Sequence, residues 1–404
     1  MTSSHRALTG VRVLDMTNVL AGPFAAYQLS LSGADVIKVE VPGGGDLART
    51  LGASEPLNSQ GLGASFVAQN SGKRSIAINL KTEAGKKALT ALIEESDVLL
   101  ENFRPGVLDR LGFGEQKLFE LNPRIVYCAI SGFGQSGPLR DRPAYDQIVQ
   151  GLSGMMASSG TSETGPLRAG YPVADTLGGM AAAFAISSAL VNRGQTGRGS
   201  AIDVSMLETA ITAMGWVVSN YLVAGTTPVP LGNENFTAAP SGTFRTGNGE
   251  INISANKQEQ FEDLCRCLNR EDLIHDPRFS EREQRKTNRG QLTSELEEAL
   301  ASQGAVEWEE KFAAIGVPAG RVLTVEEVLS HEHVVRRGLI HEVPNPVDED
   351  NPLSVLGNGI RVNGHISAPL SGPPLLGEHT EQVLAEAGLG QEQIDEMRDQ
   401  GGIA

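Results

Sequence analysis

Short apolar runs alternate with helical stretches through the first 131 residues, and that alternation leaves few folds open. Val11 to Asp15 reads as a buried strand, Ala21 to Leu31 as a helix entered through Gly22-Pro23, and Val36 to Glu40 as a second strand. Ser75 to Leu80 alternates like a strand, Glu83 to Glu94 is helical, and Val98 to Leu100 and Ile125 to Ser131 are further strands. Strands separated by helices predict an α/β fold on a parallel sheet, because parallel neighbours need crossover connections. At 404 residues the chain exceeds what one core usually organises, so two domains are expected.

Tyr145 to Val191 and Ile202 to Val223 read as two long helices rich in Gly, Ala and Ser. After Gly225 the composition turns to Pro, Gly, Asn and Thr, which places a boundary there. A strand at Ile251 to Ala255 and polar helices up to about Ile315 suit a smaller α+β domain. Strand-like segments at His341 to Val343 and Ile360 to Val362 precede a last helix after Gly377.

The formal charge of −16 and pI near 5.0, with basic residues scattered, argue against nucleic acid as a partner. Met1 to Leu8 has no apolar core of a signal segment. The longest apolar stretch, Val173 to Val191, contains Asp175, two Ser and two Gly, which suits a buried helix better than a bilayer span. Cys128, Cys265 and Cys267 lack the spacing of a metal site, and no metal is expected. These features predict a cytoplasmic protein with no membrane association.

The turn Thr17 to Pro23 lacks the G-x-G-x-x-G of a dinucleotide site, and Gly72-Lys73 is no phosphate loop, since Val67 and Arg74 occupy its defining positions. Gly43-Gly44-Gly45-Asp46 follows the second strand as either a plain turn or a ligand loop. Lys73, Arg74 and Arg104 suit a polyanionic group or are solvated surface cations; Arg104 follows a strand end, where open α/β sheets place ligands. Asp175 opens an Ala-rich helix. It reads either as an N-cap or as a nucleophile favoured by the helix dipole and given room by small neighbours.

An ordered series runs along the chain: Val13-Leu14-Asp15, Ala21-Gly22-Pro23, Gly33-Ala34-Asp35-Val36-Ile37-Lys38-Val39-Glu40, Lys73-Arg74-Ser75, Glu101-Asn102-Phe103, Ser131-Gly132-Phe133-Gly134-Gln135, Tyr145-Asp146, Ala174-Asp175, Gly316-Val317-Pro318 and Pro374-Leu375-Leu376-Gly377-Glu378-His379-Thr380. It resembles the class III CoA-transferases, which include formyl-CoA, crotonobetainyl-CoA:carnitine and succinyl-CoA:glutarate transferases. The resemblance implies a Rossmann-like large domain (1–200), a linker helix (201–225), a small domain (226–330) and a return to the large domain (331–404). It also implies an obligate, interlocked, ring-like homodimer. Asp175 takes the position of the family's catalytic aspartate, which forms a mixed anhydride and then an aspartyl-CoA thioester. Coenzyme A is then substrate and product, with no tightly bound cofactor, and the partners are acyl-CoA and small carboxylic acids. A helix-start amide after Asp175 is expected to help hold the tetrahedral oxygen.

By the same resemblance Lys73, Arg74, Arg104, Val41 and Asp46 are candidates for CoA, and Leu20, Tyr145, Asn256, Lys257 and Gln258 for the substrate. Arg168 is expected to clamp a distal carboxylate or else to lie at the surface. Val41 replaces an arginine, and Leu20 a glutamine, of formyl-CoA transferase. The loop Ala255 to Gln258 is closer to that of the glutarate enzyme, so formate or oxalate is not the expected acid; similarity to the succinyl-CoA enzymes, with Arg168 near the nucleophile, favours small dicarboxylic acids over carnitine-type or monocarboxylic ones. An α-methylacyl-CoA racemase activity is the rival; Tyr145-Asp146 stands where that enzyme has a catalytic histidine. A non-catalytic CoA-binding subunit is the other rival.

Overall fold

A computed structural model describes residues 6–404, so the amino-terminal reading of Met1 to Leu8 falls partly outside the described residues. Two compact units emerge. One comprises the chain up to Met155, Arg168–Thr227 and Val335–Ala404; the other comprises Met156–Leu167 and Pro228–Val334.

The first unit is built on six parallel strands, β1 (Arg12–Asp15), β2 (Asp35–Glu40), β3 (Arg74–Ala77), β4 (Val98–Glu101), β5 (Val126–Ser131) and β6 (Ser200–Ser205), in the order β3-β2-β1-β4-β5-β6. Side chains of successive strand residues point to opposite faces, so apolar runs bury both. Val13, Val36, Val98 and Leu100 join one core with the helices Ala21–Leu31 and Val173–Thr196. Leu14, Ile37 and Leu99 join the other, with Glu83–Glu94 and the carboxy-terminal Val383, Leu384, Ile394 and Met397. Full burial of one such side chain contributes about 1.5–3 kcal/mol. Ile403 forms an antiparallel bridge to Ile78, fixing the chain end to the sheet unit.

The helix expected over Ile202 to Val223 is corrected. Ser200–Ser205 is the edge strand β6, and the helix starts only at Met206, where the Glu208 N–H donates to Ser205 Oγ at 3.3 Å. Ile202 and Val204 face the first core while Ala201 and Asp203 alternate outward, a period of two masked by the small residues around it. Gly215, at φ 50°, then separates Met206–Ala213 from Trp216–Ala224.

Gly179 sets how closely the two main helices of the first core approach. A Cβ there would lie 2.4 Å from Ala21 O and 3.0 Å from Phe24 Cδ1. Helix propensity alone favours Gly179→Ala by about 1 kcal/mol. Overpacking against a backbone carbonyl costs about 1–3 kcal/mol and should win. The substitution is therefore expected to lower the urea midpoint, whereas a raised midpoint would contradict this packing.

In the second unit β7 (Ser241–Arg245), β8 (Glu250–Ser254) and β9 (Ala319–Arg321) form an antiparallel sheet. Phe244, Ile251 and Ile253 on it pack against Phe261, Leu264, Leu296, Trp308 and Phe312 from the polar helices, whose apolar residues recur at helical spacing. The Trp308 indole N–H donates to Leu300 O at 2.9 Å, so burying that ring leaves no orphaned donor.

Candidate active site

The strand order reverses between β1 and β4, and the crevice beyond the carboxyl ends of those strands is where open α/β sheets bind ligands. The turns after these strands are stitched together. The Asn18 N–H donates to Asn102 Oδ1 and the Asn102 amide donates to Asn18 O, both at 2.8 Å. Val19 sits at φ 69°, a conformation costly for a β-branched residue, and its N–H donates to Asp46 Oδ1 at 3.0 Å.

Beneath this turn lies a buried ionic frame. Lys38 Nζ lies 2.8 Å from Asp46 Oδ2 and donates to Thr17 O at 2.9 Å. Lys73 Nζ contacts Asp15 Oδ2 at 2.7 Å, Asn70 Oδ1 at 2.9 Å and Pro23 O at 3.1 Å. Glu40 takes a forked pair from Arg49, at 2.8 and 2.7 Å. Burial alone would raise Asp15, but Lys73 and Lys38 outweigh it and hold the carboxyl at about 2. Burial, with Lys38 adding repulsion, brings Lys73 down to about 8 despite the opposing pull of Asp15.

This frame corrects three expectations. Lys73 is 2% exposed and its ammonium donates to Asp15, Pro23 and Asn70, which leaves no donor for a phosphate. Asp46 is 1% exposed, paired with Lys38, and caps the turn Leu47–Thr50 by accepting the Ala48 N–H at 2.9 Å. Arg74 begins β3, at the amino edge of the sheet away from the crevice, and is held by Asp35 and Glu386. Val41 and Arg104 are exposed at the carboxyl ends of β2 and β4. Arg104 makes no ion pair among the described residues, and two residues on, Gly106 brings in cations that sequence reading missed. A Cβ on Gly106 would lie 3.2 Å from Arg110 Nη1 and 3.4 Å from Arg140 Nη2. Arg140 comes from the loop after β5, so nothing in its local sequence links it to Arg104.

Asp175 lies half-buried in the first turn of the 24-residue helix Val173–Thr196. It does not cap that helix. Asp146 does, its Oδ1 accepting the N–H groups of Ala174 at 2.8 Å and Asp175 at 3.3 Å. Gln150 donates to Asp146 Oδ2 at 2.6 Å and accepts the Ala169 N–H at 2.9 Å, which locks the segment leading into the helix. The Asp175 carboxylate is thereby left uncommitted. Burial first, and the negative Asp146 second, push it up to about 7. The Thr176 N–H already donates to Pro172 O at 3.0 Å, so the expectation of a free helix-start amide beside the nucleophile is corrected. Asp146 was not among the expected site residues; its position beside Tyr145 in the family-like series was the available signal.

One turn beyond Asp175, Gly179 meets Ala21, so the candidate nucleophile and the Leu20 turn share one end of the helix pair. Leu20 is half-buried there. Tyr145 is 73% exposed. Arg168 is exposed and donates to Ala169 O at 3.1 Å and Gln147 Oε1 at 3.5 Å, on the segment that enters the Asp175 helix. Asn256, Lys257 and Gln258 belong to the second unit, where they line a cavity of about 520 Å³ together with Ser280, Glu281, Arg282 and Arg285.

Residues 8–380 match the model of CoA-transferase family III. The chain is 35% identical to the succinyl-CoA:glutarate CoA-transferase of Mus musculus, over 95% of this chain and 87% of that one. It is 38% identical to the acetyl-CoA:oxalate CoA-transferase of Acetobacter aceti, over 86% and 89%. A crystal structure of a CAIB/BAIF family protein from Brucella suis superposes with a TM-score of 0.84 at 34% identity, covering 95% of this chain and all of that one. With the family match spanning the sheet, the Asp175 helix and the second unit alike, the chain belongs to CoA-transferase family III.

Proposed function

We propose that this transferase moves CoA from an acyl-CoA donor, succinyl-CoA or a close analogue, to a small dicarboxylic acid, with Asp175 as covalent nucleophile. The observation that carries the reading is the division of labour at the helix start: Asp146 satisfies the amides and Asp175 is left free. An Asp175 oxygen attacks the thioester carbonyl carbon, and collapse expels CoA thiolate and leaves a mixed anhydride. The thiolate attacks the Asp175 carbonyl carbon of the anhydride, releasing the first acid and forming an aspartyl-CoA thioester. The acceptor carboxylate attacks that carbon, expelling thiolate into a second mixed anhydride. Attack of thiolate on the acceptor acyl carbon yields the new acyl-CoA and restores the carboxylate. Each step exchanges one acyl bond for another, the logic of nucleophilic catalysis.

Arg104, Arg110 and Arg140 at the carboxyl edge suit the CoA phosphates, and exposed Val41 suits the adenine. Leu20, Tyr145 and Arg168 suit the acyl and acid groups. The dicarboxylate preference draws on the succinyl-CoA:glutarate relatives. Incubation with succinyl-CoA and glutarate, followed by hydroxylamine trapping and peptide mass spectrometry, is expected to yield glutaryl-CoA and a hydroxamate at Asp175. Exchange without label at that residue would overturn the mechanism, and deuterium uptake at the α-carbon without exchange would favour a racemase.

An obligate homodimer belongs to the same reading. Phe184 and Val191 on the Asp175 helix are 74% and 67% exposed, and Leu222 and Val223 on Trp216–Ala224 are 74% and 87% exposed. That much open apolar surface on two helices suits burial against a second copy. Sedimentation at micromolar concentration is expected to give twice the 42.7 kDa chain mass, and a monodisperse monomer would overturn the assignment.

A further inference from the structure

The cavity of the second unit carries a charge that its walls do not balance. Arg285 is 1% exposed, and the hydrogen bonds of its guanidinium all go to neutral acceptors. Nε donates to Ala239 O at 2.9 Å, and Nη1 to Gln258 Oε1 and Phe279 O at 2.9 Å and to Ser280 O at 3.4 Å. The guanidinium lies 4.3 Å over the Phe261 ring. No carboxylate pairs with it, and Nη2 has no acceptor among the described residues. A buried cation without a counter-charge is expensive, so a site that keeps one is set to receive an anion.

Three further features converge there. Lys257 is exposed, forms no ion pair among the described residues, and stands at the N-cap of the ten-residue helix Gln258–Cys267, whose positive dipole end lies at the same cavity. Arg282 also lines the cavity and is exposed, with Nη2 donating to Thr237 O at 2.6 Å. Glu281 is the one acid among the lining residues, so three cations face a single carboxylate, a formal +2. Arg285 is buried while Lys257 and Arg282 are exposed, and a formal +2 matches the charge of a dianion. A volume of about 520 Å³ admits a short diacid.

We propose that this cavity binds a small dicarboxylate, one carboxylate on Arg285 Nη2 and the other on Lys257 and Arg282. The choice of a carboxylic acid as the anion rests on the transferase reading; the binding itself needs neither Asp175 nor CoA. The test is calorimetric titration of full-length Asp175→Ala protein, without CoA, using glutarate, acetate and inorganic phosphate as probes. Glutarate is expected to bind at this cavity in the absence of CoA, with acetate and phosphate at least about 10-fold weaker there. Lys257→Ala and Arg282→Ala, both at exposed positions that should leave the fold intact, are each expected to weaken glutarate about 10-fold. An unchanged glutarate affinity in the Lys257→Ala/Arg282→Ala double variant would overturn the proposal, as would phosphate binding as tightly as glutarate. Because the readout is binding, wild-type protein that bound glutarate but transferred no CoA would refute the transferase reading and leave this one standing.

Discussion

Asp175→Asn is expected to reduce CoA transfer by at least about 10³-fold while making the chain more stable at neutral pH. The amide keeps the shape of the side chain and its place in the first helical turn, but it cannot form the anhydride. The stability gain follows from the carboxyl's position at about 7 against its ordinary 3.8. Below 3.8 the group is protonated whether folded or unfolded, and its ionisation costs nothing. Between 3.8 and 7 the unfolded chain has lost a proton that the folded chain retains, so the cost of ionising Asp175 in place grows and is complete above 7. Asparagine removes that cost. The full shift would correspond to about 4 kcal/mol, and solvent at the half-buried site reduces this to about 1–2 kcal/mol. Urea unfolding of both proteins should therefore diverge between pH 4 and 8, with the variant more stable at the upper end. In the wild type the same ionisation should appear as an acid limb of kcat/KM near pH 7. Equal stability of the two proteins at pH 8 would show that Asp175 carries no such burden.

Much of the sheet was legible because its residues answer to one constraint. Val13 and Leu14, or Val98 and Leu99, are adjacent apolar residues facing opposite cores, which is what a strand covered on both faces requires. The edge strand β6 was not legible, since Ser200, Ala201 and Asp203 dilute its alternation and an apolar helix follows at once. Asp175 was legible as a helix-start carboxylate next to small residues, but its freedom was not. Its capping duty is taken by Asp146, brought in from 29 residues earlier by the helix Asp146–Leu152. The cations divided the same way. Lys73 and Arg74 read as CoA-binding or surface cations because partnership is a tertiary property. Asp15 at the end of an apolar strand and Lys38 inside another were the local cues that buried counter-charges had to exist. Arg285 gave no cue at all, standing among charged residues of a short polar helix.

Lys73→Met is expected to cost about 3–5 kcal/mol of stability, the usual result of stranding one member of a buried ion pair. Asp15 is fully buried, and it also accepts hydrogen bonds from the N–H and hydroxyl of Thr17. Without Lys73 its charge faces Lys38 alone, and the loss reaches the turn that holds Asn18 to Leu20 beside the Asp175 helix. A phosphate-binding lysine would behave in the opposite way, raising KM for acyl-CoA at unchanged stability, which is the pattern expected instead of Arg104→Ala. Two controls make the structural origin visible. Adding Asp15→Leu to Lys73→Met replaces the stranded charge by an apolar group and should recover much of the stability, a coupling measurable by a double-mutant cycle. The second control is pH. Asp15 is depressed in the wild type, so its contribution is present above 3.8 and is lost as pH falls through about 2. In the variant the carboxyl is no longer held so low, and it takes up a proton at a higher pH, which removes the stranded charge. The deficit of Lys73→Met should therefore narrow as pH falls from 7 toward 4, and a deficit constant across that range would mean that the lysine stabilises the fold through packing rather than through Asp15.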